Sequence, residues 1–317
     1  MTLLLNRSDL ESVLDPARCL EALRRGFTAE PGEVPARRVI VPLPGPGTAT
    51  TLIPGLVEGV PAYTVKVNAK FPGSRPALRG VVALHDLGTG ETLALLDSAT
   101  VTAWRTGLAA ALGTHALARG GAATVAVVGA GAQAELVLRG LAALRPVRAL
   151  TVSDLDEDRA AAFAGRHGAR LGIAAATEAD PRAAVRDAGI VITATWARDP
   201  LLHAADVAPG AHVTSLGADE PGKAELGADL LAGARVVVDD VALATEMGVL
   251  AGAGPDAARA AGTLGAVLRG EAPGRAADGE VTVYAPVGLP WQDLALGWTA
   301  YQAAREAGRG TDYDFLD

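Results

Sequence analysis

Cysteine is almost absent from this chain of 317 residues, which contains Cys19 alone. A single thiol excludes an internal disulfide, and the helical spacing of Cys19 with Leu23 and Phe27 predicts a packing role for it. The five histidines are not closely paired with one another or with the cysteine. We therefore expect no structural or catalytic metal site.

A surplus of basic residues is also missing, since the formal net charge is −8 and the isoelectric point is about 5.2. This balance argues against a nucleic-acid partner and against an anionic membrane surface. No apolar run approaches the roughly 18 residues of a membrane span, and the run Leu3 to Leu5 is too short for a signal peptide. We expect a cytoplasmic protein. With 50% hydrophobic residues, the chain can bury the cores of two domains.

Short alternating segments between residues 34 and 96 predict an antiparallel sheet. The segment Ala62 to Phe71 alternates clearly between an apolar face and a polar, cationic face. The apolar face carries Tyr63, Val65 and Val67, and the polar face carries Thr64, Lys66, Asn68 and Lys70. A solvated outer face explains Lys70 as well as a functional role does.

The segment Ser98 to Ala118 is rich in alanine and leucine and predicts a helix. Arg105 stands within it, where a charge without a partner would be costly. A ligand carboxylate or an acidic side chain must therefore meet Arg105. The glycines that follow, at positions 120 and 121, mark a domain junction.

The apolar run Thr124 to Val128 leads directly into a glycine-rich turn. Gly129 would allow the turn, and Gly131 would let the backbone approach a pyrophosphate at the start of a helix. The next strand ends at Asp154, at the spacing expected for an acid that binds a ribose diol. The segment predicts a dinucleotide site, and the acid favours NAD over NADP.

Six apolar segments alternate with helical ones between residues 124 and 238, which predicts a doubly wound parallel sheet with its ligand at the carboxyl ends of the strands. The predicted fold class is α/β. We expect a Rossmann-type dinucleotide-binding domain at residues 120–280. A second, mixed α/β domain for substrate binding and dimerisation would comprise residues 1–119, completed by residues 281–317, with the active site in the cleft between the two.

Several segments, taken in order, resemble the ornithine cyclodeaminase and mu-crystallin family between about residues 34 and 300. They are Arg38 to Pro42, Lys66, Asp97 through Arg105 and Thr106, Val128 to Ala134, Gly217 to Leu226, and Val287-Gly288 with Asp293. Members of this family are NAD(P)-dependent enzymes that act at the Cα–N bond of amino or imino acids, together with relatives that serve as lens or hormone-binding proteins. The resemblance also implies a homodimer.

The resemblance implies a substrate site in which guanidinium groups hold the α-carboxylate, since guanidinium binds carboxylate with two parallel hydrogen bonds. It assigns this role to Arg38 and Arg105, with Lys66 beside them as a substrate-binding and catalytic residue; Arg37 is an alternative to Arg38. Asp219 would be the general acid and base.

The remaining residues that the resemblance implies contact the substrate or the cofactor. Val287 would contact the substrate, and Thr106, Gly129, Gly131, Ala132, Gln133, Asp154, Thr195, Val213, Leu216 and Lys223 would bind NAD.

Three activities stay open for a small amino- or imino-acid substrate. The named expectation is ornithine cyclodeaminase, a lyase that forms proline and ammonia from ornithine. The second is an alanine-type or opine-type dehydrogenase or a cyclic ketimine reductase. It stays open because this chain has Pro286 where relatives that cyclise ornithine carry a serine, so the serine hydroxyl is missing. The third is a crystallin-like binding protein without turnover, although such a protein has no need of a proton-transfer group at Asp219.

Overall fold

A computed structural model of the chain describes residues 1–29, 38–71, 74, 77–252 and 261–315. The chain forms two compact units: unit 1 is Met1–Thr106 with Leu289–Asp317, and unit 2 is Gly107–Gly288. The sequence predicts one domain boundary after residue 119 and a second before residue 281. In the structure the first boundary falls within the helix Ser98–Leu117.

Unit 1 contains a seven-stranded sheet in the order β15-β1-β6-β5-β4-β3-β2. Its strands are β1 (Thr2–Leu5), β2 (Val39–Pro42), β3 (Ala49–Gly55), β4 (Ala62–Lys70), β5 (Leu78–Asp86), β6 (Thr92–Asp97) and β15 (Thr311–Tyr313). Strands β2 to β6 form the expected antiparallel meander. The first element, β1, is a strand paired in parallel with β6.

The described helices of unit 1 are α1 (Arg7–Val13), α2 (Pro16–Thr28), the start of α3 (Ser98–Leu117) and α10 (Pro290–Ala307). The first three begin at a side chain that accepts a backbone N–H group, whereas α10 begins after Leu289 without such a hydrogen bond. Asp15 caps α2, as its position before proline predicts. Asn6 caps α1, and Asp97 accepts from Thr100 N at the start of α3.

Strand β4 shows that alternation predicted two faces correctly but not which one is buried. Thr64, Lys66 and Asn68 are all buried, whereas Val67 on the other face is exposed. A solvated outer face, the alternative given for Lys70, therefore does not describe these three residues. The physical reason is α10, which packs on β3, β4 and β5 and brings polar partners to that face.

Unit 2 contains an eight-stranded sheet in which every recorded pairing is parallel. Its order is β13-β12-β14-β11-β10-β7-β8-β9. The strands are β7 (Thr124–Val128), β8 (Ala149–Ser153), β9 (Ala174–Thr177), β10 (Ile190–Thr193), β11 (His212–Ser215), β12 (Arg235–Val238), β13 (Gly262–Thr263) and β14 (Thr282–Tyr284). The doubly wound parallel sheet is confirmed.

Helices connect these strands in the manner that parallel pairing requires. They are α4 (Ala132–Leu144), α5 (Glu157–Leu171), α6 (Pro181–Val185), α7 (Ala228–Gly233), α8 (Val241–Met247) and α9 (Leu264–Leu268). The apolar faces of α4 and α5 pack on β7, β8 and β10 to form a buried core. Arg37, the alternative to Arg38, lies outside the described residues. Among the described helices, none is both long enough and apolar enough to cross a membrane.

Candidate active site

Unit 1 brings two of the three predicted cations together around one carboxylate. Lys66, in the middle of β4, is 1% exposed, and its Nζ lies 2.5 Å from Asp293 Oδ2. Arg105, in α3, is 8% exposed, and its Nε lies 3.4 Å from Asp293 Oδ1. Arg105 Nη1 also donates to Gln292 Oε1 at 3.4 Å. Asp293 is itself buried in the first turn of α10.

The charges around Lys66 do not cancel. Burial is the largest cause that lowers the pKa of Lys66 from 10.5 to about 8; the charge of Asp293 raises the pKa, while the charges of Arg105 and Arg38 lower it. Arg38 lies half-buried just before β2. The two buried cations, Lys66 and Arg105, share one buried carboxylate, which leaves a positive surplus in a place where charges are poorly hydrated. Such a site is stabilised by an anionic ligand, and a carboxylate matches the guanidinium donors.

In unit 2, the glycine-rich turn has the shape that a dinucleotide phosphate requires. Gly129 has a φ of +93°, and a Cβ there would lie 2.5 Å from the carbonyl oxygen of Ala194. Gly131 begins α4 without a side-chain hydrogen bond, and a Cβ there would meet no atom within 4 Å. The first amides of α4, beginning at the exposed Ala132, therefore face open space with the positive end of the helix dipole. These residues fit a pyrophosphate.

Asp154 follows β8, as the sequence predicts for an acid near the ribose. Its Oδ2 accepts from Ala130 N at 2.7 Å, and its Oδ1 accepts from Asp156 N at 2.9 Å. Arg159 Nη1 lies 3.4 Å from the same Oδ1. The carboxylate thus holds the glycine turn in place. Since a carboxylate has about four lone-pair positions, the structure leaves Asp154 able to accept hydroxyl groups as well.

Asp219 lies in the loop after β11, at the carboxyl edge of the sheet. Its side chain is 43% exposed, and its Oδ1 accepts from Lys223 Nζ at 2.8 Å. Lys223, predicted as a cofactor ligand, is nearly buried; its Nζ lies 3.5 Å from Glu220 Oε1 and 4.5 Å from the centre of the Trp196 ring. Asp219 therefore combines access to solvent with a neighbouring proton donor, as an acid and base needs.

The other predicted residues lie in helices, in a strand and in loops. Thr106 lies in α3 next to Arg105, Gln133 is half-buried in the first turn of α4, and Thr195 follows β10. Val213 is inside β11 and fully buried, whereas Leu216 lies just beyond its end. Val287 lies in the loop after β14, where its N–H donates to Asp239 Oδ1 at 3.0 Å.

Sequence reasoning missed three residues that the structure places at these sites: Gln292, Trp196 and Asp239. Glu225 and Asp293 were each quoted within a motif without a role. The available signal was the place of Asp293 in the first turn of a helix that begins at Pro290. The helix dipole alone explains an acid at that place, so this signal does not point to a site. Nothing in the sequence indicates that this acid meets Lys66, which is 227 positions away.

Proteins of known identity resemble this chain over most of its length. A Delta(1)-pyrroline-2-carboxylate reductase of Bacillus cereus is 31% identical over 299 residues, which cover 89% of this chain and 92% of the relative. The structure of the Thermococcus litoralis enzyme of the same name, in complex with NADH and L-proline, has a TM-score of 0.90 at 28% identity and covers 98% of this chain and 100% of that one.

An archaeal alanine dehydrogenase, solved as a dimer with bound NAD, has a TM-score of 0.90 at 27% identity and covers 99% of each chain. These similarities extend over both units. A model of the ornithine cyclodeaminase/mu-crystallin family matches residues 4–308. The predicted resemblance is confirmed, and this chain belongs to the ornithine cyclodeaminase/mu-crystallin family.

Proposed function

We propose that this protein is an NAD(H)-dependent oxidoreductase that reduces the C=N bond of a small α-imino acid, and we name Δ1-pyrroline-2-carboxylate as the substrate. The observation that carries the proposal is the surplus of buried positive charge around Lys66. An α-imino acid supplies the carboxylate that this surplus attracts. The reductase and dehydrogenase relatives described above support the same class of reaction.

The surroundings of Lys66 favour an apolar imino acid over a diamino acid. The residues directly opposite Lys66 on the neighbouring strands are Ile53 and Val82, both buried and apolar. In the part of unit 1 that the structure describes, Asp293 is the one buried carboxylate, and two cations already bind it. A side-chain ammonium would therefore lack a counter-charge beside Lys66. Ornithine cyclodeamination is for this reason the second candidate.

In the proposed reaction, NADH supplies a hydride to the imine carbon when it is bound, and the imine nitrogen takes up one proton. The amides at the start of α4 would hold the pyrophosphate, and Asp154 would accept hydrogen bonds from the ribose. The acid at the end of β8 would repel a 2′-phosphate, so we propose NAD rather than NADP. Arg38, Arg105 and Lys66 bind the carboxylate. Asp219 transfers the proton, with Lys223 holding its carboxylate and solvent replacing the proton.

The test compares three substrates with one protein. With NADH and pyrroline-2-carboxylate, we expect loss of NADH and formation of proline in equal amounts. Alanine with NAD⁺ should form less NADH, and ornithine should release no ammonia. Release of ammonia from ornithine without net NADH would instead establish the cyclodeaminase. If none of these substrates is turned over and NADH binds tightly, the remaining interpretation is a binding protein without turnover.

The variant Asp219→Asn tests whether Asp219 transfers the proton. We expect Asp219→Asn to bind NADH as the wild type does, because Asp219 is not one of the proposed cofactor ligands, and to lose nearly all turnover. Asp199→Asn, an exposed acid in the same unit, is the matched control. Full turnover in Asp219→Asn would show that another group supplies the proton.

We further propose a homodimer formed through the outer face of the unit 1 sheet. A row of apolar side chains crosses four strands on this face: Val39 pairs with Leu52, Leu52 with Val67, and Val67 with Val81. Val39 is 56% exposed, and Leu52 and Val67 are each 39% exposed. A second copy is the proposed partner because the alanine dehydrogenase relative is a dimer. Light scattering should show a dimer that Val67→Glu dissociates; an unchanged mass would reject this surface.

A further inference from the structure

Glu225 is a fully buried carboxylate that accepts five hydrogen bonds. Oε1 accepts from Thr195 N at 2.7 Å and from Thr195 Oγ1 at 2.8 Å. Oε2 accepts at 2.7 Å from each of Thr193 Oγ1, Ser215 Oγ and Gly217 N. The structure thus supplies donors to both carboxylate oxygens, as an ionised glutamate requires when it is removed from water.

These donors belong to two neighbouring strands and to the loops that follow them. Thr193 is the last residue of β10 and Thr195 follows it, whereas Ser215 is the last residue of β11 and Gly217 follows it. One carboxylate therefore ties together the carboxyl ends of two parallel strands. This is the edge at which a doubly wound sheet binds its ligand.

The two loops are also in direct contact with the glycine turn and with each other. A Cβ at Gly129 would lie 2.5 Å from Ala194 O and 3.0 Å from Thr195 Cγ2. A Cβ at Gly217 would lie 2.5 Å from Glu225 Oε1 and 2.6 Å from Thr195 O. Glycine at both positions lets the turn, the β10 loop and the β11 loop approach closely. The β11 loop then leads to Asp219.

We propose that Glu225 is a positioning residue that sets the place of the Asp219 loop relative to the dinucleotide turn. This inference rests on the proposed function, since it assigns the cofactor to the turn and proton transfer to Asp219. Glu225 does not take part in proton transfer itself. It acts by holding Thr195 N and Gly217 N, one on each oxygen, so that the two loops have a single relative position.

Glutamine has the same shape but cannot make this arrangement. Its side chain has one acceptor oxygen and one NH2 group, which is a donor. If the amide oxygen faces Thr195 N, the NH2 group faces Gly217 N. In the reverse orientation the oxygen faces Gly217 N and the NH2 group faces Thr195 N. Either orientation opposes two donors at one loop. Glu225→Gln therefore releases one of the two loops whichever way the amide turns.

The experiment compares Glu225→Gln with Thr114→Val, a buried isosteric change in the same unit. Thr114 Oγ1 lies 2.6 Å from Thr214 Oγ1, which keeps a second partner in His212 Nε2 at 2.9 Å. The first measurement needs no cofactor: backbone amide exchange at Thr195 and Gly217 in the free protein. We expect one of the two amides to exchange at least about tenfold faster in Glu225→Gln and neither to change in Thr114→Val.

The second measurement is NADH affinity and turnover. We expect kcat for the imino acid to fall about 100-fold in Glu225→Gln, because a displacement of about 1 Å at a reacting group has that effect, while KM for the imino acid changes little. Thr114→Val should lose thermal stability and keep kcat. If Glu225→Gln does not fold, Thr193→Val removes one donor from the same carboxylate and should lower kcat by about tenfold.

The outcomes separate the two proposals. Amide exchange at Thr195 and Gly217 that is the same in Glu225→Gln as in Thr114→Val, or an unchanged kcat in Glu225→Gln, would overturn the positioning role. A wild-type protein that binds NADH but reduces no imino acid would overturn the proposed function, and the exchange measurement would still decide the role of Glu225.

Discussion

Replacing Asp293 by asparagine should shift the pH at which the protein loses its substrate. Asp293 is the counter-charge that raises the pKa of Lys66, against the effects of burial and of Arg105 and Arg38. Without that charge, the pKa of Lys66 falls below its present value of about 8. Lys66 then loses its proton at a lower pH than in the wild type, and above that pH it no longer attracts the carboxylate of the substrate.

The magnitude follows from the position of this pKa. A change from 10.5 to about 8 corresponds to about 3 kcal/mol, at 1.36 kcal/mol for each unit. Because the folded-state pKa lies below the unfolded value, this cost is fully present below about pH 8 and disappears as the pH rises towards 10.5. A bound carboxylate that restores the usual pKa would recover part of it. Removal of one partner of a buried ion pair costs about 3–5 kcal/mol, and we expect a smaller loss in Asp293→Asn because Lys66 can become neutral.

The assay is the pH dependence of kcat/KM for pyrroline-2-carboxylate, which reports groups of the free enzyme. The wild type should lose kcat/KM above about pH 8, and Asp293→Asn should lose it at a lower pH. Asp312→Asn, which breaks the exposed ion pair with Arg305 in the same unit, should leave the profile unchanged. A variant of Asp293 with the wild-type profile would refute the role of Lys66 as the titrating cation.

Three further changes test other parts of the structure. Gly129→Ala places a Cβ 2.5 Å from Ala194 O at a φ of +93°, so NADH affinity and melting temperature should both fall by calorimetry, whereas Gly120→Ala, with no atom within 4 Å, should leave NADH affinity unchanged. Gly113→Ala places a Cβ 2.4 Å from the buried ring of Tyr284 and should cost about 1–3 kcal/mol in urea unfolding; Gly165→Ala, in an open position of α5, should instead stabilise the protein by about 0.5–1 kcal/mol. The hydrogen bond from His167 is the main cause that lowers the pKa of Glu135 from 4.5 to about 2, so its stabilisation is present above pH 4.5 and is lost as the pH falls towards 2; Glu135→Gln should flatten the acid limb of stability measured against pH, and an unchanged acid limb would contradict this.

The Rossmann half could be predicted closely because its signals are local. Each strand is a short apolar run, and the glycine turn stands directly between a strand and a helix. The order of the strands within the sheet could not be predicted in the same way. Strand β14, which is late in the sequence, enters the sheet between β11 and β12, and no local pattern distinguishes that place from the edge of the sheet.

The site in unit 1 was harder to predict because its contacts are distant in sequence. Alternation in β4 placed Lys66 correctly with Thr64 and Asn68, but burial of that face depends on α10. The partner of Lys66 is likewise in α10 and not in the neighbouring strands. A pattern within nine residues specifies a face, whereas the charge balance of that face depends on what packs against it.

Acids that follow parallel strands illustrate the same limit and help to identify the reacting group. Position along the chain does not distinguish Asp154, Glu225, Asp239 and Asp219. Each lies shortly after a strand or within a loop at the carboxyl edge of the sheet. The structure separates them by their partners: the first three accept backbone N–H groups of neighbouring loops, whereas Asp219 accepts from the side chain of Lys223. A carboxylate that holds backbone amides cannot take up a proton without releasing a loop. Asp219 is held by a side chain instead, and for this reason we propose it, and not the other three, as the proton-transfer group.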